Sequence, residues 1–182
     1  MSRATVCLTV DFDGVSSWIH SFGEADSPTN LSRGLFGVDT GAPRLLDLFD
    51  EHDIETTWFV PGHTIESFPD AVESVWTAGH DIQHHGWSHT RPGTYPDEAS
   101  ERADIKRGIE AIESLTGRRP TGYRSPSWDF SENTLSLLEA FDFEWDSSQM
   151  GTEFYPYPLR KGWQAPPDAP FERGEASAIV EV

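Results

Sequence analysis

The stretch DIQHHGWSHT, residues 81–90, carries His84, His85 and His89, three of the chain's seven histidines. Neutral imidazole is a good ligand for zinc and related divalent metals. Two histidines four apart on one turn project their rings the same way, so His85 and His89 can reach one ion. Such a pair lacks charge compensation, and a carboxylate would supply it. ATVCLTVDFD, residues 4–13, ends in two candidates, Asp11 and Asp13. Residues two apart on a strand share a face, but the chain is leaving the strand here. One aspartate can therefore ligate while the other contacts the reacting water. Two histidines and one carboxylate leave coordination positions open, which is the arrangement of a catalytic metal rather than a structural one. A cation there acidifies water and polarises a carbonyl, and the adjacent carboxylate accepts the proton as water attacks. The chemistry is hydrolysis of an amide or ester. His84 reads as a packing neighbour on the opposite face. His20, His52, His63 and His80 have no partners by spacing and read as surface or capping residues.

The elements that must position these groups alternate in type. Strand-like runs cover residues 4–10, 55–60, 80–84, 121–124, 143–146 and 178–182. Helical spacing covers 42–54, 68–79, 96–117 and 131–141, the last with Ser131 as N-cap. A Gly- and Ser-rich loop is expected from the first strand to about residue 40, and a Pro- and aromatic-rich loop after the fifth strand. Alternation of this kind demands a parallel sheet. Asp11 and Asp13 follow the first strand, His85 and His89 the third, Arg124 closes the fourth and Asp146 the fifth. Reactive groups at so many strand ends favour a β/α barrel, whose carboxyl ends open onto one mouth. No Gly-x-Gly-x-x-Gly or phosphate-loop pattern supports a nucleotide.

The composition sets the surroundings. A formal charge of -18 on 182 residues repels nucleic acid and anionic membranes. It suits a halophilic protein, whose exposed carboxylates stay hydrated in concentrated salt while their repulsion is screened. Cys7 is the only cysteine, which rules out an intrachain disulfide framework and fits a reducing compartment. No run approaches the roughly 20 apolar residues that span a membrane, and no charged-then-apolar leader precedes the first strand. A cytoplasmic protein without membrane partners is the expectation.

TVDFDG, TTWFVPG, AGHDIQHHGWSH and TGRRPTGYRSPSW together resemble the motifs of the polysaccharide deacetylase family, also called the NodB-homology family or carbohydrate esterase family four. The similarity runs from near residue 4 to about 150. Asp-Phe-Asp in place of Asp-Asp, the loop SSWIHSFGEADSPTNLSRGLFGV and the segment FVPGHTIESFP are most similar to the subgroup of peptidoglycan deacetylases and cyclic-imide hydrolases. The resemblance implies an α/β fold, a distorted (β/α) barrel, with one divalent metal. Zinc is the first choice, with cobalt, manganese or nickel as alternatives. It makes Asp13, His85 and His89 the ligands, Asp11 the general base, and Arg124 the residue that holds the base ionised and oriented. It implies a metal-dependent hydrolase of carbon-nitrogen bonds other than peptide bonds. The substrate is then an N-acetylated carbohydrate or a small cyclic imide or ureide.

Two departures from the family pattern matter. The Leu-x-His motif that provides the general acid is absent, and residues 151–182 contain no histidine. The strands are also too few to close a barrel. The expectation is therefore that residues 1–182 are a single deacetylase-like domain, the N-terminal portion of one, incomplete at its C-terminus. The rest of a longer enzyme or another chain would complete it, and a homo-oligomer is included in that expectation. The alternative function is a non-catalytic remnant that binds metal or ligand and acts through a partner.

Overall fold

A computed structural model of the chain describes residues 5–152 and 154–182. Among these residues seven strands form one sheet: β1 (Thr9–Asp11), β2 (Thr57–Val60), β3 (Asp81–His84), β4 (Gly122–Tyr123), β5 (Trp145–Asp146), β6 (Tyr157–Lys161) and β7 (Glu175–Glu181). Their order is β1-β2-β3-β4-β5-β7-β6, parallel throughout except for β6, which runs antiparallel to β7. The alternation of strands and helices thus builds the parallel α/β sheet it predicts. Among the described residues β1 and β6 are its two edges, so the sheet stays open as expected. The ladder begins at Thr9, later than the expected start at residue 4, a position outside the described residues.

Among the described residues six α-helices cover the sheet: α1 (Pro28–Phe36), α2 (Ala42–Glu51), α3 (Gly62–Ser67), α4 (Pro69–Thr77), α5 (Glu98–Thr116) and α6 (Thr134–Ala140). α5 is the longest, and its boundaries follow from sequence chemistry. Asp97 accepts the Ser100 amide at 2.8 Å, and Gly117 leaves the helix at φ +69° with its N–H on the Glu113 carbonyl. Ile105, Ile109 and Ile112 form its buried stripe. For α6, Ser131 accepts from the amides of Asn133 and Thr134, which satisfies the turn that leads into the helix. The buried Glu101 of α5 accepts from the Ser131 and Thr134 hydroxyls and so ties the two helices together.

The structure corrects two expected loops. Residues 14–40 are largely helical, with wide π-helical turns at Ser17–Ser21 and Gly37–Gly41 flanking α1. α1 starts with Pro28 in its first turn and the Ser27 hydroxyl on the Asn30 amide. The tail after β5 forms β6, paired with β7 through a register shift between Pro158 and Arg160.

Two apolar clusters hold the layers together. Trp58 and Val60 of β2 pack with Phe49, Val72, Val75 and Ile112 in one. Tyr123, Leu138, Leu159 and Ile179 pack with Ile105 and Ile109 in the second, so α5 contributes to both. Trp58 is fully buried, and its indole N–H finds Thr56 at 2.8 Å. Gly108 lets α5 approach the end of β3, because a Cβ there would stand 2.3 Å from the His84 ring nitrogen. That close approach delivers the segment after β3 to the carboxyl end of the sheet.

Candidate metal centre

The carboxyl ends of β1, β3 and β4 bring Asp11, Asp13, His85, His89 and Arg124 into one constellation. His85 Nε2 lies 3.5 Å from Asp13 Oδ1, and His89 Nε2 lies 3.3 Å from Asp13 Oδ2. One ligand atom from each of the three residues falls within 4.8 Å of the other two. The two histidines converge for a different reason from the one the spacing suggests. Residues 85–90 are a bent loop, not a helical turn. Gly86 at φ +71° and His89 at φ +61° fold it back so that both rings face Asp13.

The loop is clamped from four sides. The Gly86 and Trp87 carbonyls accept from the Gly62 and His63 amides at the start of α3. Asp104 of α5 accepts from the Trp87 and Ser88 amides at 2.7 and 3.0 Å, and from the Ser88 hydroxyl. His85 Nδ1 meets the Arg124 carbonyl at 2.6 Å, and His89 Nδ1 meets the Ser21 hydroxyl at 2.7 Å. A carbonyl can only accept, so Nδ1 of His85 carries the proton and its Nε2 presents a lone pair.

Burial lowers the pKa of both rings, that of His89 to about 4, so both are neutral and ready to ligate. Asp13 is pushed up, chiefly by burial, with His85 opposing and Asp11 adding to the rise. Its Oδ1 is buried without a hydrogen-bond partner. Acceptor atoms therefore face acceptor atoms across 3.3–3.5 Å, an arrangement that repels itself unless a cation lies between. Ligands about 2.0–2.2 Å from a tetrahedral zinc stand about 3.3–3.6 Å from one another. The donor set and its spacing fit a divalent metal.

Asp11 and Arg124 form the second part of the site. Arg124 Nη1 donates to Asp11 Oδ1 at 2.7 Å. The guanidinium is locked by three further donations, to the Ser147 carbonyl, the Ser147 hydroxyl and the Thr9 hydroxyl. Its carbon lies 4.1 Å from the centroid of the buried Phe59 ring. Asp11 thus presents a carboxylate whose orientation is fixed beside Asp13. A cleft of about 270 Å³ opens beside both aspartates, with Ser17, Trp18 and Arg33 in its wall. A larger cavity of about 630 Å³ between α3 and α5 touches none of these groups.

His84 is the packing residue expected, fully buried, with Nε2 on the Ile105 carbonyl and Nδ1 accepting the Gly86 amide. His52 ends α2 on the surface. His80 and His63 depart from the surface reading. His80 is buried against Trp58 and Phe49 and bonds Thr56. His63 bonds Ser16 and packs edge-on against His20 beside Trp87. Sequence reasoning missed Ser21, Asp104 and Ser147. Each acts through a hydrogen bond to a distant segment, and no local spacing marks such a bond.

Asp146 does not enter the constellation. It pairs in register with Glu181 across β5 and β7, and both side chains are buried. Burial first, then the neighbouring Glu181, pushes Asp146 well above the carboxylate range, and Glu181 is also raised by burial. One proton shared between them relieves the repulsion. A raised folded pKa stabilises the fold fully below the unfolded value of about 4, and that contribution is lost as pH rises through the folded value. Urea midpoints should therefore fall as pH rises above about 4. One proton held by the folded state alone gives that limb a slope of about 1.4 kcal/mol per pH unit. Glu181→Gln, which keeps a donor without a second charge, should flatten it. An unaltered slope in this variant would show that the pair is not proton-linked.

Comparison with known proteins agrees with this geometry. Residues 32–145 match the polysaccharide deacetylase family. A peptidoglycan deacetylase of Helicobacter pylori is 43% identical over 157 residues, which cover 86% of this chain and 53% of that protein. A peptidoglycan deacetylase-like protein of Gibberella zeae is 34% identical over 164 residues, covering 88% of this chain and 48% of that one. Among solved structures, a polysaccharide deacetylase of Mycobacterium smegmatis superposes with a TM-score of 0.80 at 34% identity, over 100% of this chain and 62% of that one. The fold and site define an α/β scaffold with a metal-type donor set, and the chain belongs to the polysaccharide deacetylase family. It spans about half the length of the curated relatives it matches.

Proposed function

We propose that this chain carries the metal centre and base of a hydrolase that removes acetyl groups from an N-acetylated carbohydrate. Residues 1–182 form a single domain on this reading. The observation that carries it is the convergence of two imidazole lone pairs and the Asp13 carboxylate on one point, with the Nδ1 atoms of both rings engaged elsewhere. Asp13, His85 and His89 hold one divalent cation, zinc by the chemistry of the donor set. Once bound, such a cation supplies Lewis acidity, making water a better nucleophile and stabilising negative charge on the amide oxygen.

The chain's own residues do the rest. Asp11 takes a proton from water as its oxygen adds to the carbonyl carbon. Arg124 fixes the direction of that carboxylate and is itself fixed by Ser147 and Thr9. As the adduct collapses, the proton held by Asp11 passes to the amide nitrogen, the carbon-nitrogen bond breaks, and acetate and the amine are released. Support for this substrate class comes from the family and from the names of the relatives.

The test is a screen of the zinc-loaded chain in high salt against N-acetylglucosamine oligomers, cyclic imides and ureides. Acetate release from an oligomer is the expected result. Ring opening of an imide or ureide alone would keep the site but replace the substrate. No turnover on any of them, with zinc bound, would favour a binding role over an enzyme.

A further inference from the structure

The residue that aims His89 is supplied by the segment after β1, where no local spacing marks it. Asp13 lies two residues past the end of β1, and four residues later the chain enters the π-helical turn Ser17–Ser21. The entry is fixed by the Ser16 amide and the Thr64 hydroxyl, which both donate to the Asp13 carbonyl at 3.0 and 2.6 Å. The turn places Ser21 against His89, 68 positions along the chain. There the Ser21 hydroxyl bonds His89 twice, once at ring Nδ1, 2.7 Å away, and once at the backbone carbonyl.

The proton count assigns the direction of both bonds. A hydroxyl has one hydrogen, and the His89 carbonyl can only accept. The Ser21 proton therefore goes to the carbonyl, and the Ser21 oxygen accepts from Nδ1–H. His89 is thereby held as the tautomer whose Nε2 lone pair faces Asp13. The carbonyl bond has a second consequence. His89 sits at φ +61°, a left-handed conformation that costs a non-glycine residue on the order of 1 kcal/mol or more. Ser21 ties down both the backbone and the ring of this strained residue.

We propose that Ser21 is a positioning residue for the metal centre, fixing the tautomer and aim of His89. The inference rests on the proposed function, in which His89 is a ligand. It makes residues 13–21 the bearer of both one ligand and the orienter of another. Outer partners of this kind typically govern metal affinity by about 10–100-fold.

Two measurements test it. In the first, zinc affinity is determined by competition with a chromophoric chelator for the wild type, Ser21→Ala and Ser21→Thr. Ser21→Ala should bind one zinc about 10–100-fold more weakly, and Ser21→Thr, which retains the hydroxyl, should recover most of that loss. In the second, the nitrogen shifts of the His89 ring are read by NMR in the metal-free wild type, where no variant has to fold. Nδ1–H should be the protonated nitrogen. Wild-type affinity in Ser21→Ala, or Nε2–H in the metal-free protein, would overturn the role of Ser21. A wild type that binds no zinc while its His89 is Nδ1–H would instead overturn the metal centre and leave the clamp on His89 standing.

Discussion

Asp11→Asn should lower kcat by about 10²–10⁴-fold, the usual contribution of a positioned general base, while zinc affinity stays close to that of the wild type. The asparagine keeps the size and the carbonyl oxygen of the side chain, so Arg124 Nη1 retains an acceptor at the place now 2.7 Å away. What disappears is the capacity to take a proton from water. Asp11 contributes no atom to the three-residue ligand group, so metal binding should persist. Zinc titration and steady-state kinetics on the same preparation check both halves. Loss of metal together with turnover would mean that Asp11 ligates and that the two aspartates exchange roles. Retained turnover would remove Asp11 from the chemistry.

The division of labour between the aspartates is open at the level of residue types, and only the family resemblance assigns it. The structure adds a physical distinction. Asp11 lies within the β1 ladder, opposite Phe59, and meets Arg124 from β4. Asp13 lies beyond the ladder, where the chain turns at Gly14, φ +54°, and meets the two imidazoles. One intervening residue, Phe12, points into the core and separates the two environments.

The ligand set is legible in the sequence because each member follows a recognisable apolar strand, and parallel strands deliver their carboxyl ends to one side of a sheet. The helical reason for the histidine pair is nonetheless incorrect in detail. A four-residue spacing suits a helix, whereas here a left-handed glycine and a left-handed histidine produce the convergence. Elements with weak local signals escape a reading of the sequence. SSWIHSFGEADSPTNLSRGLFGV is rich in Ser and Gly, which disfavour helix, yet packing of Val15, Gly34 and Val38 against the Asp13 turn makes most of it helical. A Cβ on Gly34 would stand 2.6 Å from the Gly14 carbonyl, so this helix needs its glycine for close approach. β6 is hidden by Pro158, which a strand tolerates at the edge of a sheet. Ser21 and Asp104 stay invisible because their partners are tertiary.

Asp13→Asn should move metal binding and metal-free stability in opposite directions. In the wild type the Asp13 carboxylate is pushed up in pKa by burial, and it faces two imidazole lone pairs with no donor between them. An asparagine amide of the same shape places an N–H toward His85 or His89 Nε2, turning an acceptor-acceptor contact into a hydrogen bond. Urea denaturation in the presence of a chelator should therefore show the variant as stable as the wild type, or more stable by about 1 kcal/mol. Zinc should reverse the ranking. The amide contributes no charge and binds a divalent ion poorly, so affinity should fall by more than the roughly 100-fold ceiling for loss of an outer-shell partner. At a free zinc concentration about 100 times its dissociation constant, the wild type should gain about 2.7 kcal/mol and the variant close to none. Turnover should vanish with the metal, which separates this variant from Asp11→Asn, expected to keep zinc and lose rate. A variant that still binds zinc like the wild type would show that Asp13 is not a ligand, and the reading of the site as a metal centre would fail with it.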